Sequence, residues 1–416
     1  MMQNNGRHQS LDILRGFAVM GILAMNIVGF SMPDMAYINP RVHGGTAGAD
    51  YMAWLLSFVL IDGKMRGLFA LLFGASMMLI IANANQKQLD PGSIHYRRMF
   101  WLGLFGLAHY YFIWWGDILF AYAVSGSVAY LFCHLDSKPL IKWALIIYAA
   151  GFLLYSVTMG SLFYFERAAN APGATESDRA VLEDVVRGLG SDQPLTAKNI
   201  ALHQSSYGAI ASEKLTERTF DPIVNPLFFM LETLPMMLIG MAMLQNGFLL
   251  GGGANSALTK SYRKWAVWCL SAGLIWTGVC AYIVTVSGFD WIMTSFIQSA
   301  ATLPARLLMT VGYIAALILV IAKYRESRFL ARVAAAGRAA FTNYIGTSIV
   351  MTTIFYGYGL GYYGQLSRAE LYWLLLPAWC IMLLWSKPWL ERFHFGPLEW
   401  LWRSLARGKW QPMVRA

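Results

Sequence analysis

The stretch from Ser10 to Phe30, SLDILRGFAVMGILAMNIVGF, decides the fold class of this chain. It is mostly apolar over roughly 20 residues, the length that a helix needs to cross a bilayer core about 30 Å thick. Polar side chains lie near both of its ends, with Asp12 and Arg15 at the start and Asn26 further along. At about 100° per residue they fall on nearly one face, and Asn26 lies about 16 Å beyond Arg15. Polar groups in lipid must face protein or water, so a polar helix face within the membrane indicates a functional site. The alternative is that Arg15 only pairs with Asp12 at the membrane interface.

The composition extends this conclusion to the whole chain. Of its 416 residues, 57% are hydrophobic and 13% are charged, and the mean hydropathy is +0.48. Apolar runs of spanning length recur from end to end, so the sequence predicts an all-α polytopic integral membrane protein. The net charge of +10 does not indicate a nucleic-acid partner, because the basic residues lie in short loops and form no known binding motif. The four cysteines lack metal-ligand spacing, so no metal site is expected.

About ten transmembrane helices are predicted from these apolar runs. They lie near residues 11–30, 51–83, 99–115, 118–133, 140–163, 224–244, 265–286, 291–321, 340–360 and 371–386. Lys and Arg accumulate in cytoplasmic loops, and counting 51–83 as one crossing leaves only Arg41 and Arg368 in the short loops opposite. Both termini are then cytoplasmic, and the expected location is the inner (cytoplasmic) membrane.

Four segments follow from this topology. Residues 1–163 form the N-terminal half of the helical bundle with spans one to five, and residues 223–386 form the C-terminal half with spans six to ten. Residues 164–222 form an extracytoplasmic loop or lid, in which runs such as SDRAVLEDVVRGL indicate short helices over the outer face. Residues 387–416 form a cytoplasmic tail, whose basic and Trp-rich sequence is typical of an amphipathic helix on the membrane surface.

Charged residues interrupt the second apolar run in the sequence DGKMR, residues 62–66. An acid, two bases and a glycine indicate a helix break, whose freed backbone groups need protein or water as partners. The alternative is an interfacial turn from which Lys64 and Arg66 snorkel toward water. Three later residues are polar within spans in the same way: Glu232, Gln298 and Arg306.

The candidate for acid–base chemistry is His109 in the sequence LAHYYFIWWGDILFAYA, with Asp117 eight residues later. Imidazole exchanges protons readily near neutral pH, and an orienting carboxylate completes a general base. Along one continuous helix the two residues would lie about 12 Å apart, so they meet only if the chain bends at Trp115-Gly116. Otherwise Asp117 would pair with Lys64 or Arg66, and His109 would donate to a backbone carbonyl.

Five blocks of sequence occur in order along the chain: SLDILRGFAVMGILAMNIVGF-SMPDMAYINP, GKMRGLFALLFGAS, WWGDILFAYA, GRAAFTNYIGTSIV and FGPLEWLWR. Together they resemble the bacterial YeiB family (domain of unknown function 418). That family is grouped with transmembrane acyltransferases, among them the lysosomal heparan-α-glucosaminide acetyltransferase. The S-x-D-x-x-R-G opening of that enzyme is similar to the sequence at Ser10, Asp12, Arg15 and Gly16. Its catalytic histidine lies in the outer loop after the first span, where this chain has His43.

The resemblance implies a membrane-embedded acyltransferase that moves an acyl group from cytoplasmic acyl-CoA to an acceptor on the outer side. The general base would be His109, oriented by Asp117, or else His43. Cations would hold the CoA phosphates, and the Asn26 amide would stabilise the oxyanion. The residues expected to bind the donor are Asp12, Arg15, Asn26, Lys64 and Arg66.

The expected partners are membrane lipids and an acyl acceptor, which is a glycan, a lipid or a small metabolite, and a homodimer is one option for assembly. The alternative function is a secondary transporter or channel, in which the intramembrane charges form the pathway. Turnover of a thioester by purified protein separates the two functions, as does solute flux into liposomes.

Overall fold

The computed structural model describes residues 4–188, 193–250 and 257–415, and this part of the chain is almost entirely helical. Outside its helices it has a single β-bridge, between Phe393 and Val414. The α-helices are α1 (Asn4–Ser31), α2 (Gly48–Leu56), α3 (Lys64–Gln86), α4 (Pro91–Phe112), α5 (Leu119–Ala129), α6 (Ser137–Ala169), α7 (Glu176–Gly188), α8 (Gln193–His203), α9 (Tyr207–Thr216), α10 (Asp221–Gln245), α11 (Ala257–Val286), α12 (Trp291–Phe296), α13 (Leu303–Lys323), α14 (Arg328–Arg338), α15 (Ala340–Phe355), α16 (Arg368–Trp373), α17 (Leu375–Arg392) and α18 (Pro397–Arg407).

Seven helical stretches in the described residues are long and apolar enough to cross a membrane. They are Gln9–Ser31, Gly48–Gln86, Ser137–Ala169, Asp221–Gln245, Thr259–Val286, Leu303–Lys323 and Arg368–Arg392. The all-helical, multi-pass architecture is therefore confirmed. The count of about ten spans stays a prediction, because the spans predicted in α4, α5 and α15 are not among the seven.

Helix α1 lies at the centre of the bundle and is largely buried along its apolar length. It packs against α3, α14 and α15. Two glycines allow the approach to α14, because a side chain at Gly16 would collide with the backbone of Val333 and one at Gly337 with the carbonyl of Asp12. Small residues at such contacts let membrane helices pack closely. The stretch that decides the fold class is thus also the core of the bundle.

The two ends of the bundle differ in what covers them. We call the end that carries Arg15 and α18 the terminal face, and the opposite end, covered by residues 164–188 and 193–222, the lid face. In the lid, α7, α8 and α9 confirm the predicted short helices. The lid is tied to the bundle by an ion pair between Arg218 and Asp34 (2.8 Å) and by the hydroxyl of Tyr111, which donates to the Thr219 carbonyl (2.6 Å).

Two π-helical turns interrupt the membrane helices on the lid-face side. Helix α2 continues into the first, Ser57–Ile61, and α12 continues into the second, Ile297–Ala301. Asp62 and Gly63 then end the first helix, and Gly63 adopts a positive φ of 71° before α3 begins. The helix break predicted from DGKMR is confirmed, and such turns often occur at functional sites.

The C-terminal helix α18 docks on the bundle by specific contacts of its own. Its Glu399 carboxylate accepts the backbone N–H groups of Phe341 (2.7 Å) and Thr342 (3.1 Å), and Trp402 donates to the Arg98 carbonyl (2.9 Å). The tail is amphipathic as predicted, but it is seated against α4 and α15 at the terminal face. The division into halves 1–163 and 223–386 stays a prediction, although α3 of the first packs closely on α10 of the second.

Candidate active site

Two large cavities enter the bundle from opposite ends. The terminal-face cavity has a volume of about 1100 Å³ and is lined at its mouth by cations and by Trp402 and Trp410. The lid-face cavity has a volume of about 760 Å³ and is lined by aromatic and charged side chains, with Asn199 and Arg218 of the lid among them. The volume of the lid-face cavity lies within the range of small-molecule sites, and that of the terminal-face cavity lies just above it.

One face of α1 lines both cavities in succession. Arg15, Val19 and Ile22 line the terminal-face cavity, and Asn26 and Gly29 line the lid-face cavity. The spacing of three and four residues places them along one side of the helix, as the sequence predicts for Arg15 and Asn26. This side of α1 therefore runs from one cavity into the other.

The two cavities meet at a thin partition. Ile118 and Tyr122 line both of them, and the hydroxyl of Tyr122 donates to the carbonyl of Arg66 (3.1 Å). Ile118 belongs to the non-helical segment between α4 and α5, residues 113–118. The partition is thus formed partly by a non-helical segment. Two side-chain contacts hold it: the Trp114 indole donates to the Gly29 carbonyl (3.1 Å), and the Ile118 N–H donates to the Tyr344 hydroxyl (3.4 Å).

That segment brings His109 and Asp117 together. The chain bends after Phe112, so the Nδ1 atom of His109 lies 2.9 Å from Oδ1 of Asp117. The second carboxylate oxygen accepts the backbone N–H of Phe120 (2.9 Å), which fixes Asp117 at the start of α5. A side chain at Gly106 would collide with Asp117 and Phe120, so glycine is needed where the two helices meet. Of the two arrangements that the sequence allows for Asp117, the bend is confirmed and pairing with Lys64 or Arg66 is wrong.

The His109–Asp117 pair is fully enclosed. The side chain of His109 is 0% exposed, and its Nε2 atom is buried without a hydrogen-bond partner. In the neutral tautomer whose Nδ1–H donates to the carboxylate, Nε2 carries the lone pair. The rings of Tyr344 and Trp114 lie 5.1 and 6.2 Å from the imidazole, and Asp117, Tyr344 and Trp114 themselves line the cavities. The imidazole therefore lines neither cavity itself and is separated from each of them by the side chains that it contacts.

A buried charge cluster occupies the deep end of the lid-face cavity. The Glu232 carboxylate accepts from Arg66 (2.9 Å) and from Arg306 (3.2 Å). Asp62 accepts from the hydroxyl of Tyr37 (2.6 Å) and from the side-chain amide of Gln298. The backbone carbonyl of Gln298 accepts from Arg306. The two π-helical turns thus meet here, since Asp62 follows the first and Gln298 lies in the second.

The structure separates the residues predicted to bind acyl-CoA. Arg15 pairs with Asp12 (2.9 Å) and donates to Ser76 (2.8 Å) at the terminal-face cavity, whereas Asn26 and Arg66 line the lid-face cavity. Lys64 lines neither cavity, because its 1% exposed side chain donates to the Phe58 carbonyl (2.5 Å) that the helix break frees. The alternative of a snorkelling Lys64 and Arg66 is therefore wrong.

His43 lies outside both cavities. Its Nε2 atom is 3.1 Å from the carbonyl of Gly364, and its own carbonyl accepts from Arg368 (3.4 Å). These contacts join the loop after α1 to the loop before α16. The structure thus gives His43 a role in holding two loops together and places the predicted pair His109–Asp117 at the cavities.

Sequence reasoning overlooked a basic cluster at the mouth of the terminal-face cavity. Its members come from loops and helices that are far apart in sequence: Lys87, Arg97, Arg98, Arg338, Arg403, Arg407 and Lys409. Arg98 lies over the ring of Trp402, 4.1 Å from its centroid. The signal for this cluster is the accumulation of Lys and Arg in the loops predicted to be cytoplasmic, a bias that by itself indicates only topology.

Comparison with known proteins gives the family. The chain is 31% identical to the uncharacterized protein YxaH of Bacillus subtilis (strain 168), over 99% of this chain and 97% of that protein. The sequence model of a family described as protein of unknown function (DUF418) matches residues 253–409. The chain belongs to the DUF418 family. This DUF418 chain is also 28% identical to the uncharacterized protein YeiB of Escherichia coli (strain K12), over 96% of each chain.

The family assignment confirms the resemblance to YeiB. A third relative, the uncharacterized 39.9 kDa protein in the amylase 3' region of Bacillus acidopullulyticus, is 24% identical over 97% of this DUF418 chain and 95% of that protein. No solved structure matches the chain. The matches to relatives extend over nearly the whole chain, so both cavities and the His109–Asp117 pair lie within the compared region.

Proposed function

We propose that this protein is a membrane-embedded acyltransferase that uses a cytoplasmic acyl-CoA and acylates an acceptor at the opposite side of the membrane. The observation that carries the proposal is the enclosed His109–Asp117 pair at the partition between two opposed cavities. A neutral imidazole with an oriented Nδ1–H and an unpartnered Nε2 is the arrangement of a general base. In this proposal the terminal face is cytoplasmic.

The basic cluster at the terminal face would hold the phosphate groups of CoA. Arg338 of α14, Arg403 of α18 and Lys87 after α3 approach the mouth of the cavity from three different segments. A guanidinium group can donate two parallel N–H···O hydrogen bonds to one phosphate group. The indole rings of Trp402 and Trp410 would stack on the adenine ring. Deeper in the cavity, Arg15 is followed by the apolar Val19 and Ile22, which suit a thioester chain.

The chain's own residues supply the proton transfers at the partition. Nε2 of His109 takes the proton of the acceptor hydroxyl or amine as its oxygen or nitrogen attacks the thioester carbonyl carbon. Asp117 stabilises the imidazolium that forms, as an orienting carboxylate does. The amide of Asn26 donates to the oxyanion, and the C–S bond then breaks. His109 returns the proton to the CoA thiolate, so the neutral imidazole is regenerated.

Access to His109 requires movement of the partition. The ring is covered by Trp114 and Tyr344 in the structure, and segment 113–118 is the non-helical part of the wall. Displacement of this short segment by the acyl chain would expose Nε2 to both substrates. Before the donor binds, the undisplaced segment would keep water away from the base, as closing loops do in other enzymes.

Transport is the second candidate, and a different observation favours it. Two opposed cavities that share Ile118 and Tyr122 also suit a solute pathway with a central gate, and Arg66, Glu232 and Arg306 would line it. The two candidates differ in what His109 does. A transferase needs its Nε2 to abstract the proton of the acceptor, whereas a transporter would use the imidazole only if solute passage is coupled to proton movement.

The deciding experiment measures release of free CoA from acetyl-CoA and longer acyl-CoAs by purified protein in lipid nanodiscs. We expect H109Q and D117N to lower turnover by about 10²–10⁴-fold, because each removes general-base catalysis. The matched controls H43Q and H134A should keep parental turnover, since His43 lies outside both cavities and His134 is exposed. Equal turnover in H109Q and the parent would contradict the proposal. Solute flux into liposomes without any thioester turnover would support transport.

A further inference from the structure

The lid-face cavity opens sideways between two membrane helices. Its wall includes Tyr155 and Thr158 of α6 and Asn225, Phe228 and Phe229 of α10. Phe228 and Phe229 are 51% and 44% exposed, and Thr158 and Asn225 are also exposed. Both helices belong to stretches that can cross a membrane, so the exposed side of this wall faces lipid. The cavity therefore reaches the surface of the bundle at a place where lipid surrounds it.

The packing of α6 and α10 gives this opening its shape. The helices approach closely at Gly151, where a side chain would press against Leu231. One turn further along, the hydroxyl of Tyr155 donates to the carbonyl of Phe228, and beyond that pair Thr158 and Asn225 line the cavity. We call the opening lined by Thr158, Asn225, Phe228 and Phe229 the lateral mouth.

The lid covers the route that a water-soluble acceptor would take. Thr196, Asn199 and Arg218 of the lid line the cavity on that side. Arg218 is held by ion pairs to Asp34 and Asp221, both at 2.8 Å, and its guanidinium lies 5.7 Å from the centroid of the Trp115 ring. Entry through the lid requires these contacts to break, whereas entry through the lateral mouth does not.

The cavity changes from apolar to polar from the lateral mouth inward. Phenylalanine rings form the mouth, and the far wall carries Asp62, Arg66, Glu232 and Asn26. A lipid placed here would leave its acyl chains in the bilayer between α6 and α10, and its headgroup would lie among hydrogen-bonding side chains. Lipid-facing apolar rings next to intramembrane charges fit an amphiphile better than a wholly polar solute.

We infer that the acyl acceptor is a membrane lipid that enters through the lateral mouth and presents a headgroup hydroxyl or amine to the partition. This inference rests on the proposed function and specifies its acceptor. The headgroup oxygen or nitrogen forms the new bond to the acyl carbon as the C–S bond breaks. Its proton passes through His109 to the CoA thiolate, so no further reactant is required.

The test supplies lipids as the only acceptors. Nanodiscs of phosphatidylcholine, whose headgroup carries no O–H or N–H group, are compared with nanodiscs that also contain phosphatidylethanolamine or phosphatidylglycerol. With acyl-labelled acyl-CoA, we expect label in the added lipid. We expect it to exceed label on soluble ethanolamine or glycerol by about tenfold or more, because the mouth positions the lipid headgroup. Equal labelling of soluble and lipid acceptors would overturn lateral entry.

Two variants on one turn of α6 test the mouth itself. T158W places an indole in the lateral mouth and should lower lipid acylation by about tenfold or more, because it narrows the opening sterically. V157W is the matched control, since Val157 is 70% exposed and does not line the cavity. Thermal unfolding of both variants checks that they fold. Equal lipid acylation in T158W and V157W would overturn the assignment of the mouth.

A readout that needs no turnover separates this inference from the proposed function. Phosphatidylethanolamine with a photoreactive diazirine in its acyl chain should label α6 and α10 near Thr158 and Phe228, and T158W should reduce that labelling. Labelling without CoA release in any nanodisc would support lipid entry and contradict the acyltransferase. CoA release with no labelling at the mouth and no lipid product would overturn the lipid acceptor alone.

Discussion

Glu232 is the residue on which the buried charge cluster depends. It accepts from both Arg66 and Arg306, and its side chain is 6% exposed. Removal of a buried ion partner leaves the other charges uncompensated, which typically costs about 3–5 kcal/mol. We therefore expect E232A to lower the free energy of unfolding by about this amount, as measured by thermal unfolding in lipid nanodiscs.

The matched control for this prediction is E217A, because Glu217 is exposed and its ion pair with Lys198 (3.7 Å) lies on the lid surface. A surface pair of this kind contributes about 0–1 kcal/mol. The double variant R66M/E232M should recover part of the stability that E232A loses, since apolar side chains would replace a charge pair. Equal unfolding of E232A and E217A would contradict the structural role assigned to Glu232.

At the residue scale, the sequence predicted local pairs better than distant ones. Asp12 and Arg15 are one helical turn apart, so their pairing follows from helix geometry. The meeting of His109 and Asp117 depended on a bend that Trp115-Gly116 only permitted. The partnership of Arg66 with Glu232 joins α3 to α10, and no periodicity in one sequence encodes which distant span lies alongside another.

The lid is the element whose attachment should respond to pH. His203 of α8 stacks on Tyr363 with the ring centroids 4.4 Å apart, and its Nδ1–H donates to the Asn199 carbonyl (2.9 Å). Burial lowers the pKa of His203 below its ordinary range, against the opposing effect of the nearby Asp34 carboxylate. Lys214 and Arg218 also face it, and both lower its pKa.

The sign of the effect follows from this lowered pKa. An undocked lid binds a proton at His203 more readily than the docked lid does, so docking is favoured above the undocked pKa of about 6.5. Docking is weakened as the pH falls through that value. We expect hydrogen exchange of residues 193–216, corrected for intrinsic rates, to be faster at pH 5.5 than at pH 7.5.

The control for the lid is H203F, which keeps an aromatic ring on Tyr363 and cannot titrate. Its exchange should no longer be faster at pH 5.5 than at pH 7.5. Burial raises the pKa of Glu213 in α9, and this carboxyl favours docking at low pH, so it opposes the effect of His203. An unchanged pH response in H203F would therefore contradict the assignment to His203.

At the element scale, the sequence predicted the existence of helices more reliably than their positions. The run SDRAVLEDVVRGL indicated a helix because its apolar residues recur at helical spacing, and α7 covers it up to Gly188. The tail was predicted on the membrane surface, yet α18 is seated on α4 and α15. Its Glu399 caps the first N–H groups of α15. An amphipathic pattern predicts that a helix has an apolar face, but it does not predict which helix packs against that face.

At the scale of the whole molecule, segments near both ends of the chain meet at the terminal face. The start of α1 at Arg15 and the C-terminal segment at Gln411 line the same cavity. A chain that starts and ends on one side of a membrane crosses it an even number of times. Seven long apolar stretches, an odd number, are found in the described residues. The prediction of ten crossings therefore depends on α4, α5 and α15 as further crossings.

Labelling of single cysteines from each side of the membrane tests this topology. In a background where Cys133, Cys269, Cys280 and Cys380 are replaced by alanine, K409C reports on the terminal face and K198C on the lid face. If the positive-inside bias sets the orientation, a membrane-impermeant maleimide should label K198C in whole cells with a permeabilised outer barrier, and K409C only after disruption of the inner membrane. Labelling of both positions from outside would contradict the five crossings predicted between them, and the reverse pattern would place the basic cluster on the side that lacks CoA. The orientation therefore decides whether the cavity that fits CoA phosphates can meet its donor.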